Sequence, residues 1–233
     1  MTSAPPTPLW AGGDITPRAT CVLAPNPGVM TLEGTNTWVL IEPGSTDAVV
    51  VDPGPLDEKH LQRVLDLVAS RGARVGLTLL THGHWDHAES ARRFAALTGA
   101  PVRALGPGHD DLADDDRLMV DGLELVVVAT PGHTSDSLSF LVVAENALLT
   151  GDTVLGRGTS LVPWPYGELA AYLLSLQRIH IIPVPRERHQ LRPHPSPSSP
   201  AVAPSLCHLL SHPPGTLALF RPAVAPDSTP ASP

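Results

Sequence analysis

Cysteine is almost absent from this chain. Cys21 and Cys207 stand far apart and follow no C-x-x-C spacing, which argues against a disulfide framework or a Cys-rich zinc site. Aromatic residues make up only 4% of the sequence, so Val, Leu and Ala must fill most of the core. No apolar run approaches the roughly 18 residues that a membrane span needs. The first residues, Met-Thr-Ser-Ala-Pro-Pro-Thr-Pro, have neither a basic n-region nor an apolar h-region. No signal peptide is therefore expected, and the cytoplasm is the expected compartment. Positive charge is also short: 15 Lys and Arg against 23 Asp and Glu leave a formal net charge of -8. That balance disfavours broad binding to nucleic-acid phosphates, though it leaves room for a small local basic patch.

What is present is a chain of 233 residues, 42% hydrophobic and 16% charged, which suits one soluble globular domain with a real core. Histidine is plentiful, with 11 copies, and proline more so, with 27. Both are unevenly placed.

Residues 1–18 are rich in Pro and Gly and are expected to be irregular, while Ala19 to Ala24 can form a short strand. Asn36 to Glu42 and Ala48 to Asp52 are β-rich and flank Pro43-Gly44-Ser45, which predicts an antiparallel hairpin. The second of these strands ends in Asp52-Pro53-Gly54, a turn with a carboxylate at the strand tip. Asp57 to Arg71 has a helical period, with Leu61, Val64, Leu65 and Val68 on one face, Asp57 as cap and Gly72 as stop. His60 on this helix is expected to face solvent. Val75 to Leu80 reads as a buried strand. Ala88 to Thr98 reads as a second helix, which Asp86 could cap. Further strands are expected at Val102 to Leu105, Arg117 to Val120, Leu123 to Thr130, Ser137 to Val143 and Ala147 to Thr150. Asp121-Gly122 and Glu145-Asn146 turn two of these pairs. Gly167 to Arg178 is a last amphipathic helix with Leu169, Tyr172, Leu173 and Leu176 on one side.

After that helix the character changes. Residues 183–233 hold about half of the prolines and show no sustained periodicity. Such a segment buries too little apolar surface to offset its ordering entropy, so 181–233 is expected to be a mostly disordered tail. The part before it interleaves strands and helices and predicts an α/β layered domain, with stacked sheets and outer helices.

Coordination chemistry concentrates at one place. The apolar run from Val75 ends in His82, His84, Asp86 and His87, four possible ligands within six residues. In an extended segment residues two apart point the same way, so His82 and His84 can bind one ion together. Asp86 and His87 lie past the turn and could reach a second. Imidazole and carboxylate ligands suit zinc, and also iron or manganese. His133, in Thr130-Pro131-Gly132-His133-Thr134, stands at another strand tip as a third ligand for the first ion. Asp152 closes an apolar strand in Leu148-Leu149-Thr150-Gly151-Asp152 and could bridge two ions. Weaker signals are His109 in an acidic loop, where solvation is the better reading, and the glycines at Gly156 and Gly158, which more simply shape a loop. Trp164-Pro165-Tyr166 could line a substrate pocket or pack on the last helix.

These residues resemble the metallo-β-lactamase superfamily of metal-dependent hydrolases. The resemblance rests on Thr81-His82-Gly83-His84-Trp85-Asp86-His87, Gly132-His133-Thr134, Gly151-Asp152 and Asp52-Pro53-Gly54, in that family's order and spacing, over about residues 20–178. Asn26-Pro27-Gly28, Leu32-Glu33-Gly34-Thr35-Asn36-Thr37 and Gly151-Asp152-Thr153-Val154-Leu155-Gly156 further resemble its β-lactamase-like protein 2 group, some members of which cut single-stranded RNA. The resemblance implies a four-layer αββα sandwich over residues 19–180, with the site at one edge between the sheets. It implies a first zinc ion on His82, His84 and His133, and a second on Asp86, His87 and bridging Asp152, with Asp52 behind them orienting the site.

In this family a last histidine, in a Gly-His-Gly turn after the final helix, completes the second ion site. No such turn follows Arg178. His180, His189, His194, His208 and His212 all lack that context. The composition of the tail is what a GC-rich gene read out of frame yields, so the ordinary carboxyl end is expected to be incomplete or replaced. Three functions stay open. The first is a metal-dependent hydrolase of an ester, thioester or lactone, with Asp86 orienting the attacking water and shuttling its proton. The second is an endoribonuclease or phosphodiesterase, and the third an inactive metal-binding remnant. A small-molecule substrate is the expected partner, with single-stranded RNA the alternative and no membrane.

Overall fold

A computed structural model describes residues 10–106, 111–156, 158–182, 208–209 and 217–221. One sheet runs in the order β1 (Gly13–Asp14), β2 (Ala19–Leu23), β3 (Asn36–Ile41), β4 (Asp47–Val51), β5 (Arg74–Leu79) and β6 (Val102–Arg103). Its pairs are antiparallel up to β4 and parallel from β4 to β6. Helices α1 (Glu58–Ser70), α2 (Trp85–Ala88) and α3 (Ala91–Thr98) lie in the crossovers of the parallel part. The second sheet is antiparallel. It contains β7 (Arg117–Val120), β8 (Leu123–Ala129), β9 (Leu138–Val142) and β10 (Ala147–Leu149), and is followed by α4 (Leu169–Ile181). β11 (His208–Leu209) and β12 (Leu217–Arg221) extend it beyond β10 in the order β7-β8-β9-β10-β12-β11.

The continuous apolar runs of the central strands follow from burial on both faces. Along β3 and β4, Trp38, Leu40, Val49 and Val51 face the other sheet, where they meet Leu125, Val127, Phe140 and Leu149. The residues between them, Val39, Ala48 and Val50, face outward and are covered by Leu61, Val64 and Val68 of α1 and Phe94 of α3. On the far side Leu141 and Leu148 face outward onto Ile179 of α4. The result is the expected helix–sheet–sheet–helix sandwich, with its main core between the sheets.

Three expectations change in detail. The helix placed at Ala88 to Thr98 is two helices, and α2 begins at Trp85, so Asp86 lies inside a helix instead of capping the next one. At the break, the Ser90 hydroxyl donates to the Gly54 carbonyl at 2.9 Å. His60 is fully buried, because it shares the i, i+4, i+8 stripe with Val64 and Val68. α4 is rotated from its expected face. Tyr172 donates to the Thr153 carbonyl and Ser175 to the Pro131 carbonyl, and those anchors leave Leu169 and Leu173 exposed. Within the tail, Leu217, Ala218 and Leu219 of β12 pair with β10, and Phe220 and Arg221 pair with β11. The rest of 183–233, and His109 with its neighbours, lie outside the described residues.

Candidate metal centre

All the candidate ligands stand at strand ends along one edge of the sandwich. β4 runs out at Asp52, β5 at Thr81 and His82, and the short α2 that follows carries Asp86 and His87. From the other sheet, the loop after β8 carries His133 and the turn Gly151–Thr153 after β10 carries Asp152. A backbone bond from Leu138 to the Thr81 carbonyl, at 2.7 Å, ties the two sheets together beside the site. Gly132 and Gly151 make these loops possible, since both have positive φ. A β-carbon on Gly151 would stand 2.7 Å from Thr81 Oγ1, and one on Gly132 would collide with the Tyr172 backbone.

The first group is three imidazoles and a carboxylate. His84 Nδ1 lies 3.0 Å from both His82 Nε2 and His133 Nε2, and one ligand atom from each of His82, His84, His133 and Asp152 falls within 4.8 Å of the others. Ligand bonds of 2.0–2.1 Å to a tetrahedral zinc would put neighbouring nitrogens about 3.3 Å apart, so the spacing fits such an ion. The tautomers fit as well. His133 Nδ1 donates to the Leu161 carbonyl at 2.7 Å, which leaves Nε2 with its lone pair facing inward. Thr81 gives its hydroxyl proton to Asp52 Oδ2 at 2.6 Å, so its oxygen accepts from His82 Nδ1 at 3.0 Å and again leaves Nε2 bare. Burial, and then the neighbouring imidazoles His87 and His133, push His82 well below the usual histidine range. Burial lowers His84 too. Both are therefore neutral candidate ligands at pH 7.

The second group gathers carboxylates around one imidazole. His87 Nδ1 donates to Asp52 Oδ2 at 2.8 Å, and its Nε2 faces Asp86 Oδ2 and Asp152 Oδ1, each at 3.3 Å. Burial opposes charge on His87, but Asp152 and Asp52 outweigh it and raise the imidazole well above its usual range. Burial likewise works against the Asp152 carboxylate, yet His87 foremost holds it far below the ordinary value. Three carboxylates, Asp52, Asp86 and Asp152, thus converge on this one imidazole. Asp152 faces both groups, since its other oxygen lies 3.6 Å from His133 Nε2.

The six expected ligands are thus brought together, with Asp52 behind them. His180 is exposed on α4, while His189, His194 and His212 and the side chain of His208 lie outside the described residues. Two contributors were not foreseen: Thr35 Oγ1 donates to Asp86 Oδ2 at 2.8 Å, and Asn26 brackets Thr35 through its side-chain amide. Their signal lay in the segment from Asn26 to Thr37, which carries part of the resemblance. Open grooves flank the centre. The larger, about 1110 Å³, is lined by His84, Leu105, Thr134, Asp136 and Tyr166. The smaller, about 470 Å³, lies between Met30, Glu33, Asp86, Asp152 and Leu155.

Comparison with known proteins agrees with this fold. The family model of the metallo-beta-lactamase superfamily matches residues 30–117 and 105–188. The chain belongs to that superfamily. Among curated relatives, an atrochrysone carboxyl ACP thioesterase of Aspergillus fumigatus is 36% identical over 174 residues, 71% of this chain and 53% of that protein. A lactamase-like protein of Pestalotiopsis microspora is 36% identical over 178 residues, 74% of this chain and 53% of its own length. The superfamily member described here thus spans about half the length of these relatives. Among solved structures, ETHE1 from Myxococcus xanthus matches with a TM-score of 0.56 and 28% identity, over 62% of this chain and 64% of that one. A beta-lactamase domain protein from Burkholderia ambifaria shares the fold, with a TM-score of 0.60 and 21% identity, over 76% and 67% of the two chains. No helix among the described residues is long and apolar enough to cross a membrane.

Proposed function

We propose that this chain is a binuclear metal-dependent hydrolase that cleaves a thioester or a related activated ester. The observation that carries the reading is the convergence of three imidazole nitrogens, with Asp152 facing both that group and His87. His82, His84 and His133 would hold the first ion, Asp86 and His87 the second, and Asp152 both. Zinc is the expected metal, with iron or manganese compatible with the same donors. When bound, such ions would lower the pKa of a water and stabilise charge on the developing oxyanion.

The chain's own groups supply the rest. Thr35 occupies Asp86 Oδ2, which leaves Oδ1 to take the proton of the attacking water as its oxygen bonds to the acyl carbon. The carbon–sulfur bond then breaks, and Asp86 returns the proton to the leaving thiolate. The larger groove beside His84 offers Leu105 and Tyr166 to an acyl group. Thioester is favoured within this class because the relatives' names include an acyl carrier protein thioesterase. The net charge of -8 and the Asp136 carboxylate in the groove both work against an RNA phosphodiester.

Metal analysis of the purified chain, combined with a panel of thioester, lactone and single-stranded RNA substrates, tests the reading. Near two ions per chain with thioester turnover is the expected result. One ion or none, with no turnover, would establish the inactive remnant instead.

A further inference from the structure

Behind the centre runs a hydrogen-bonded chain to which the proposed chemistry gives no part. Arg63 Nη2 donates to the Leu23 carbonyl at 2.9 Å and meets His60 Nδ1 at 3.1 Å. A guanidinium can only donate, so Nδ1 is the bare nitrogen of His60 and Nε2 carries the proton. That proton goes to Thr37 Oγ1 at 2.8 Å, and the Thr37 hydroxyl in turn donates to the Asp52 carbonyl at 2.7 Å. His60 and Thr37 are both fully buried. Asp52 has a φ of 54°, in the left-handed region that non-glycine residues seldom adopt. In that conformation its carboxylate reaches Thr81, behind His82, and also His87.

We propose that His60 and Thr37 are positioning residues for the metal centre. Arg63 fixes the tautomer of His60. His60 thereby commits the Thr37 hydroxyl to the Asp52 carbonyl, and that bond holds Asp52 in the backbone conformation that aims its carboxylate at both ligand groups. With the other tautomer, His60 Nε2 would draw the Thr37 proton to itself and leave a buried carbonyl without its donor. Packing enforces the same arrangement, since a β-carbon on Gly54 would stand only 3.2 Å from His60 Nε2. This inference rests on the metal-dependent reading above.

The test compares variants that separate hydrogen bonding from packing, using zinc affinity measured by chelator competition on the purified chain alongside thermal melting. Thr37→Val keeps the shape and removes the hydroxyl, while Thr37→Ser does the opposite. His60→Leu removes both polar nitrogens, and His60→Gln keeps a donor and an acceptor. Thr37→Val and His60→Leu are expected to weaken zinc binding by about tenfold or more, as loss of a group supporting a ligand does. Thr37→Ser and His60→Gln should keep near wild-type affinity, whatever their melting temperatures. Arg63 is exposed, so Arg63→Met tests the tautomer lock without disturbing the core, and a severalfold weaker zinc affinity is expected. Wild-type affinity in Thr37→Val or Arg63→Met overturns the positioning role, as does affinity that merely follows melting temperature across the set. A wild-type chain that binds no zinc overturns the metal-centre reading beneath it.

Discussion

Replacing Asp52 by asparagine should separate the two ion sites. Asp52 Oδ1 accepts from Thr81 N at 2.7 Å, while Oδ2 accepts from Thr81 Oγ1 at 2.6 Å and from His87 Nδ1 at 2.8 Å. Asparagine has one acceptor oxygen. With that oxygen kept on the Thr81 amide, the new NH₂ group faces His87 Nδ1 and donates to it. The imidazole must then carry its proton on Nε2, the atom that faces Asp86 and Asp152, and a protonated nitrogen cannot bind an ion. His82 escapes this change, because the Thr81 oxygen can still accept from its Nδ1. Outer partners of this kind are worth about 10- to 100-fold in metal affinity, or about 1.4–2.7 kcal/mol. Zinc content after equilibrium dialysis should fall from near two ions per chain to near one. Chelator competition should show the remaining site at wild-type affinity. An Asp52→Asn protein that keeps both ions at full affinity would refute the tautomer argument.

Three further outcomes follow from the same geometry. His84→Ala and Asp152→Ala should each reduce thioester turnover to background while the chain stays folded by circular dichroism; wild-type turnover in either would remove that residue from the centre. Burial, with the Arg63 charge beside it, lowers His60 to about 4, below the ~6.5 of an unfolded chain. Its contribution to stability is therefore complete above pH 6.5 and is lost as pH falls towards 4. Two to three pH units correspond to about 3 kcal/mol, so denaturant midpoints for His60→Gln should fall less steeply across that window than wild-type midpoints. Asp136→Asn removes a charge from the larger groove. At about 4 Å in water such a charge is worth about 1 kcal/mol, so KM for an anionic substrate should drop about fivefold while KM for a neutral one stays unchanged.

The cluster of candidate ligands was legible because its anchors, His82, His133 and Asp152, each follow an apolar run. His82 follows Val75 to Leu80, His133 follows β8, and Asp152 follows Leu148-Leu149, so strand ends and ligands coincide in one dimension. The layering was legible from the same runs, whose residues alternate between the inner core and the helix-covered faces. His60 was misplaced because a polar residue on a helix suggests solvent, whereas its spacing to Val64 and Val68 puts it inward. The buried face of α4 was misjudged because its anchors are polar: Tyr172 and Ser175 reach carbonyls that only the tertiary fold supplies. Thr35 could not be linked to Asp86, 51 residues away, by any local pattern.

The centre is assembled across the seam of the sandwich. His82, His84, Asp86 and His87 follow a strand of one sheet, and His133 and Asp152 follow strands of the other. An ion held by both sets is therefore a fastener, since neither half alone offers a full set of donors. Binding and docking of the sheets then become one equilibrium. At free metal 100-fold above its dissociation constant, one such ion adds about 2.7 kcal/mol to the stability of the closed sandwich. Losing such an ion would loosen the molecule first along this edge, where the loops after β5, β8 and β10 meet.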